Sequence, residues 1–547
     1  MIKEKLLTIL KVALAKTGIK EEAELQQPIH IDHGDYSTAI ALKYAKKLKK
    51  DPLSLAKDIA KNIRKTDFLE KVDVVKPGFI NFFIAPSALL EKIKNPPKSE
   101  QKNYKILLEF GQPNTHKDPH IGHLFSYIFG ESLSRLLKAE GNNVFKANYQ
   151  GDVGLHVAKC LYVARGKMQE TRNKSLREKV KFLQTCYQEG SELYEKDKKI
   201  EKEIDALNLQ IYQNDPAIYD VWEQTRKWSL EFYKQFEKKI GIHYDKYYFE
   251  SETAKIGKSL VEKNTSKVFE KSDDAVIYKG EKHGLHTRVF ITKLGNPTYE
   301  AKDLGLVALK KKDFPFDLSI VTTASEQNAY FKVVIAASED IFPQLKKKLI
   351  HLGYGMINLI TGKMSSRKGD IVDAFELVDE VTETIQSTYK ISQDLAEKIA
   401  LSSIKYSFLR SDAYKDIVFD MKKSIAKEGD SGPYLLYTYV RTKSILEKEK
   451  PKNASIPKNL NEEERELLKK LSRFSEAVQK AAQLYAPHLI AHYLFDLSQT
   501  FNLFYQKHPV LRADEETKQF RLTLTKVVGE TVKKGLHLLG IETVEKM

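Results

Sequence analysis

Two histidines and a glycine stand together in His120-Ile121-Gly122-His123, directly after the turn-forming segment GQPNTHKDP. Imidazoles at that spacing can donate hydrogen bonds to charge developing on a phosphate, and Gly122 has no side chain to hold a flat base or a phosphate off the backbone. A second candidate is GKMSSRKGD, Gly362 to Asp370, where the cations Lys363, Arg367 and Lys368 flank Ser365 and Ser366. A loop of that composition can close over a triphosphate and neutralise charge as pyrophosphate leaves. Taken singly, each motif equally describes a solvated helix start or an exposed basic turn, because short matches recur by chance.

For the two histidines to act together, a helix must begin at them. Ile106, Leu107, Leu108 and Phe110 form a short apolar run of buried-strand type. From Leu124 to Glu140 apolar residues recur at helical spacing, and Gly141 can end that helix with positive φ. The first turn of such a helix offers unpaired backbone N–H groups and the positive end of its dipole to an anion. NNVFKANYQGDVGLH predicts a second strand ending in a glycine-rich turn, so strand, helix and strand recur as in a parallel sheet. From about Val157 to Lys239 the pattern is helical and charged, an insertion into that sheet, after which AVIYKG, HTRVFIT and LSIVTT read as further strands of it. The expected fold is an α/β, Rossmann-type, doubly wound parallel catalytic domain with a helical insertion.

The flanks differ. Residues 1–98 read as a small α+β domain, with an amphipathic first helix, two helices parted near Asp51 and Pro52, strand-like VDVVKPGFINFFI, and the linker-like KNPPKSEQKN at its end. The catalytic domain is placed at 99–375 with its insertion at about 157–239, a helical connection at 376–429, and an all-α bundle at 430–547. Tyr434, Tyr437, Tyr439, Phe501, Phe504 and Tyr505 lie in that bundle; most should be core, and some could stack unpaired bases. The length of 547 residues suits several domains, and 90 Lys and Arg against 74 Asp and Glu favour a polyanion such as RNA or reflect solvated lysine faces. Two cysteines exclude a disulfide framework and a four-cysteine zinc site, no apolar run approaches a membrane span, and a cytoplasmic protein is expected.

HIGH followed far downstream by KMSSRKG resembles the class I aminoacyl-tRNA synthetases. EFGQPNTHKDPHIGH, NYQGDVG, NPTYEAKDLG, SEQNAYF, GPYLLYTYVR, FNLFYQKHPVLR and the terminal GLHLLGIETVEKM are similar, in order, to motifs of the arginyl-tRNA synthetase family, and GDYSTAIALKYAKKL resembles its additional N-terminal domain. The resemblance implies attachment of L-arginine to tRNA(Arg) through an arginyl-adenylate made from ATP, with Mg2+ accompanying ATP and no dedicated protein metal site. It places His120, Gly122, His123 and Lys117 at the reacting phosphates, with Lys363, Met364, Ser365, Ser366 and Arg367 holding ATP and pyrophosphate. Glu109, Asn114 and Gln327 would grip the amino-acid end of arginine, and Glu250, Tyr299 and Asp303 would surround its guanidinium. Tyr437, Arg441 and Tyr505 would meet tRNA from the helical bundle, and the working unit would be a monomer. A guanidinium, a planar fork of donors, pairs best with carboxylates and stacks on aromatic rings, so acid and ring independently suit that ligand.

Three positions depart from the family pattern: Ser366 replaces the second lysine of KMSKS, Tyr330 stands where histidine is frequent, and Val153 where tryptophan is. The charge missing at Ser366 would come from Lys117, Arg367 or Lys368. Competing readings are a class I synthetase for another amino acid, which Asp303 and Glu250 disfavour where the substrate is glutamate or glutamine, and a catalytically silent tRNA-binding protein, which the intact His120, Gly122, His123 and Lys363 disfavour.

Overall fold

Five parallel strands run through the middle of the chain. In this computed structural model, which describes residues 2–28, 31–97, 100–360 and 372–547, Lys105–Glu109 pairs on one side with Asn143–Gln150, followed outward by Lys246–Phe249. On its other side lie Leu318–Ala324 and then Leu349–Tyr354. Strands are added to both sides of Lys105–Glu109, so a crevice opens beyond its carboxyl end, where ligands bind in sheets of this type. Leu107 and Leu108 are fully buried because both faces of the strand are covered. The helix Ile121–Ala139 begins at HIGH, and Gly141 follows it with φ of +83°.

Of the three strand patterns expected to extend this sheet, only LSIVTT does so. AVIY and RVFI form a separate antiparallel sheet with Glu270–Ser272. The two residues between Ser272 and Ala275, Asp273 and Asp274, both have positive φ, so the turn is the tight hairpin type that forces antiparallel neighbours. The insertion is helical: Leu155–Ala164, Leu176–Lys196, Lys198–Gln213 and Pro216–Lys239. Ser175, Asp197 and Asp215 cap three of these helices with their side chains, which fixes where each begins.

The N-terminal segment forms a three-stranded antiparallel sheet with helices against it, the first burying Leu6, Leu10 and Leu14. After Ala374–Tyr389 and Gln393–Leu409 the chain continues as a bundle running from Gly432–Lys448 to Glu515–Leu538. Glu476 of the bundle accepts from Tyr36 Oη at 2.6 Å and pairs with Lys92 at 3.1 Å, seating the N-terminal sheet on the bundle. Among the described residues no helix is long and apolar enough to cross a membrane.

Candidate active site

HIGH is held by its own side chains. His120 is the N-cap of its helix, its Nδ1 accepting from Gly122 N at 3.1 Å, while His123 Nδ1 accepts from His120 N at 3.2 Å. With each Nδ1 serving as acceptor, the ring proton sits on Nε2, available to a ligand oxygen. The rings lie 3.9 Å apart. Burial, and then the cation Lys117, lowers the pKa of His120; burial followed by His120 and Lys117 lowers that of His123 well below the usual value. Both are neutral donors at pH 7. A Cβ on Gly122 would stand 2.9 Å from His120 Cε1, so this glycine makes room for the His120 ring itself.

Around HIGH the backbone is tied on both sides. Ile121 N donates to Val372 O at 3.0 Å and Ala374 N to Pro119 O at 2.8 Å, returning the chain to HIGH immediately after residue 371. Lys363, Met364, Ser365, Ser366 and Arg367 lie outside the described residues. Tyr233 Oη donates to the carbonyls of Asn114 at 2.5 Å and Lys117 at 2.7 Å, and Lys117 Nζ sits 4.2 Å over the Tyr187 ring. An insertion helix therefore moulds the GQPNTHKDP loop. His116, fully buried between Thr115 and Thr225, is lowered to about 3 by burial and stays neutral.

Beside this loop the sheet opens into an acidic and aromatic pocket. Asn114 bridges to Gly151, where a Cβ would stand 2.2 Å from Asn114 Oδ1. Glu250 begins the helix Glu250–Lys263, whose first turn is fastened by Asp152: its oxygens accept from Ser251 N and Oγ, both at 2.8 Å, and pair with Arg226 at 2.6 Å. The helix Tyr299–Asp313 packs directly on that one. A Cβ on Gly257 would lie 1.8 Å from Ala301 O and one on Gly305 2.2 Å from Thr253 O, so two glycines allow the backbones to touch.

Along one face of this second helix stand Tyr299, 56 % exposed, and Asp303. Burial first raises Asp303 to about 7, and Glu109 and Glu250 add to the shift against the Tyr330 hydrogen bond and Lys310. Tyr330 Oη donates to Asp303 Oδ2 at 2.5 Å. The residue in the place of the family's frequent histidine thus serves the pocket carboxylate. Gln327 is exposed and ends the short turn Ser325–Gln327, three residues before Tyr330.

Of the expected arginine residues, Asp303 and Glu109 line one cavity with Lys310, Asn114 and Glu250 both approach Gly151, and Tyr299 meets Glu250 through Lys302; Glu109 and Glu250 have internal partners. Glu109 accepts from Gln112 at 2.6 Å and forms a buried ion pair with Lys310. Glu250 pairs with Lys302 at 2.5 Å. Tyr149 stands among all three carboxylates, its hydroxyl pKa raised by burial and then by Glu250, Asp303 and Glu109. Lys302, Lys310, Tyr149, Tyr212 and Asp152 were not foreseen; the one sequence signal was two lysines set into the apolar face of LGLVALK and its preceding turn.

On the helical bundle the aromatics divide. Phe501 and Phe504 are wholly buried and Tyr439 nearly so, whereas Tyr437 and Tyr505 are exposed. The Arg441 guanidinium lies between those two rings, 4.7 Å from Tyr437 and 5.1 Å from Tyr505, and bonds Asn502 Oδ1 at 2.6 Å.

Three family models match the chain in succession: "Arginyl tRNA synthetase N terminal domain" over 3–84, "tRNA synthetases class I (R), catalytic domain" over 85–421, and "DALR anticodon binding domain" over 435–547. An arginine–tRNA ligase of Borrelia garinii is 33% identical, covering 96% of this chain and 95% of the relative. That of Borrelia hermsii is 32% identical, over 99% and 97%. Among solved structures, the Thermus thermophilus arginyl-tRNA synthetase superposes with a TM-score of 0.84 at 24% identity, covering 100% of both chains, which speaks for the fold.

Proposed function

The chain belongs to the class I arginyl-tRNA synthetases, and from that membership we propose how its own residues divide the work of an arginine–tRNA ligase. The reaction is ATP-dependent: a carboxylate oxygen of L-arginine bonds to the α-phosphorus as the bond to pyrophosphate breaks, and the 3'-terminal adenosine hydroxyl of tRNA(Arg) then attacks the arginyl carbonyl as AMP leaves.

His120 and His123 are the neutral Nε2–H donors to the phosphate oxygens on which charge builds during adenylate formation. Preorganised donors of this kind are typically worth about 100- to 1,000-fold in rate each. Lys117, the charged neighbour that depresses both histidines, supplies a cation on the same side, and Lys363, Met364, Ser365, Ser366 and Arg367 are assigned to ATP and pyrophosphate by their match to the family motif. Asn114 and Gln327 take the amino-acid end of arginine, Tyr299 stacks on the guanidinium, and Asp303 pairs with it. Glu109, its oxygens occupied by Lys310 and Gln112, braces the floor of the site. Tyr437, Arg441 and Tyr505 form a stacking platform for unpaired tRNA bases.

Magnesium arrives with ATP. An ion of that kind would be carried mainly by the phosphate oxygens. The division into 1–98, 99–375, 376–429 and 430–547 follows from the change of pattern near each boundary. The working unit is taken as a monomer from the family resemblance, and the two free cysteines suit the cytoplasm.

The observation that carries this reading is the union, beyond the carboxyl ends of the same parallel strands, of a neutral histidine pair and a half-buried carboxylate, Asp303, flanked by an exposed tyrosine. Arginine-dependent exchange of labelled pyrophosphate into ATP tests it, with and without tRNA(Arg) and with lysine and glutamine as controls. Exchange with arginine alone among the amino acids is expected. Binding of tRNA without exchange for any amino acid, under either condition, would leave only the silent RNA-binding reading.

A further inference from the structure

Three cations around the site are paired with carboxylates: Lys310 with Glu109, Lys302 with Glu250 and Arg226 with Asp152. Lys117 is held differently. Among the described residues no carboxylate pairs with it, and its Nζ rests 4.2 Å from the centre of the Tyr187 ring. Asp118, the next residue, interacts with Asp373, Lys181, Glu376 and Arg177 instead. The histidines that feel Lys117 are His120, His123 and His156, whose pKa values are lowered by burial first and by Lys117 among the nearby charges, so all three are neutral. Nothing on the page quenches this cation.

The kind of partner matters. A carboxylate would cancel the charge and occupy the ammonium N–H groups, which a phosphate would then have to displace. A ring face attracts the cation through its quadrupole, keeps the full unit charge and leaves the donors on the far side free. Burial opposes ionisation of the Tyr187 hydroxyl, yet Lys117, joined by Lys159, outweighs it and holds its pKa below the ordinary value, as a strongly positive surrounding requires.

The ring is fixed from several sides. Tyr187 lies on the insertion helix Leu176–Lys196, one turn after Gln184, whose Oε1 accepts from Asp118 N at 3.2 Å. One turn further on, a Cβ at Gly190 would stand 2.0 Å from Lys159 O, so this helix is pressed against Leu155–Ala164. Tyr233 of a second insertion helix donates to Lys117 O at 2.7 Å. The backbone of residues 117 and 118 and the Lys117 side chain are thus gripped by the insertion together.

On the reading that HIGH and Lys117 meet ATP, we propose that Tyr187 is the positioning residue of Lys117: its ring face seats the ammonium beside HIGH without neutralising it, so that an uncompensated cation is presented to the phosphates. Through this contact the helical insertion takes part in adenylate formation while supplying no reacting group of its own.

The test uses Tyr187→Leu, Tyr187→Phe, Lys117→Met and Tyr187→Leu combined with Lys117→Met in the full-length protein. Arginine-dependent pyrophosphate exchange with tRNA(Arg) present gives kcat and the arginine KM, and thermal melts check the fold. Tyr187→Leu removes the ring face and should lower kcat by about tenfold, with the arginine KM within twofold of the parent. Tyr187→Phe restores the ring and should keep at least half of the parent kcat. In the Lys117→Met background, itself slowed by about 100-fold, Tyr187→Leu should cost less than a further twofold. The proposal is overturned by a Tyr187→Leu kcat within twofold of the parent, by Tyr187→Phe as slow as Tyr187→Leu, by the same tenfold loss persisting without Lys117, or by Lys117→Met exchanging at the parent rate. Should Tyr187→Leu fail to fold, Tyr187→Met is held to the same criteria. Absence of arginine-dependent exchange by the parent protein would instead remove the functional reading itself.

Discussion

Asp303 makes arginine recognition dependent on pH. Burial raises its pKa from 3.8 to about 7, so in the empty pocket near neutrality the acid and carboxylate forms are comparably populated. The groups facing it are Tyr330, Glu109, Glu250 and Lys310, and Lys302 is bound to Glu250. Only the carboxylate pairs with a guanidinium. The sign follows: the raised pKa penalises binding below about 7, and the penalty vanishes as pH rises above it. If protonated enzyme does not bind arginine, the arginine KM stands about twofold above its high-pH plateau at pH 7 and roughly elevenfold above it at pH 6.

The assay is the arginine KM in aminoacylation from pH 6 to pH 8, at saturating ATP and tRNA, for the parent, Asp303→Asn and Tyr330→Phe. Asp303→Asn leaves the guanidinium without its charged partner, a loss of about 3–5 kcal/mol, and its KM should lose the inflection. Tyr330→Phe removes a hydrogen bond that stabilises the carboxylate, so its inflection moves to higher pH. Asp118, raised to about 7 by burial and by Asp373, titrates in the same window beside HIGH. Because Asp303→Asn retains Asp118, the difference between that variant and the parent isolates Asp303. A parent KM that stays flat from pH 8 to pH 6, or a pH profile in Asp303→Asn with the same inflection and amplitude as the parent's, refutes the reasoning.

Two further expectations come from packing and from the bundle surface. Gly257→Ala drives a methyl against Ala301 O, costing about 1–3 kcal/mol and lowering Tm; since the displaced helix carries Lys302 and Asp303, the arginine KM should rise more than the ATP KM. An unchanged arginine KM in a destabilised protein would separate helix contact from pocket geometry. Arg441→Ala removes the group between Tyr437 and Tyr505 and should raise the tRNA KM by roughly tenfold, leaving the ATP KM unaltered. A tRNA KM within twofold of the parent would return that platform to ordinary surface packing.

What could be read from the sequence and what could not differ in the distance over which the deciding interaction acts. The HIGH helix, its glycine stop and the capped insertion helices are set by neighbours three or four residues away, and their periodicity shows them directly. AVIY and RVFI carry the same kind of apolar run as LSIVTT, yet a run does not name its partner: AVIY turns back on Glu270–Ser272 through two aspartates with positive φ, and RVFI then pairs with AVIY. The pocket is harder still. Lys302 meets Glu250 across 52 residues and Lys310 meets Glu109 across 201, so no local pattern announces that two of the three carboxylates are already engaged. Motif resemblance places Glu109, Glu250 and Asp303 together as acids but is blind to their charge balance. Tyr330 shows the same limit from the other side: in the sequence it is a departure from a familiar histidine, and its hydrogen bond to Asp303 turns that departure into a determinant of when the pocket is charged.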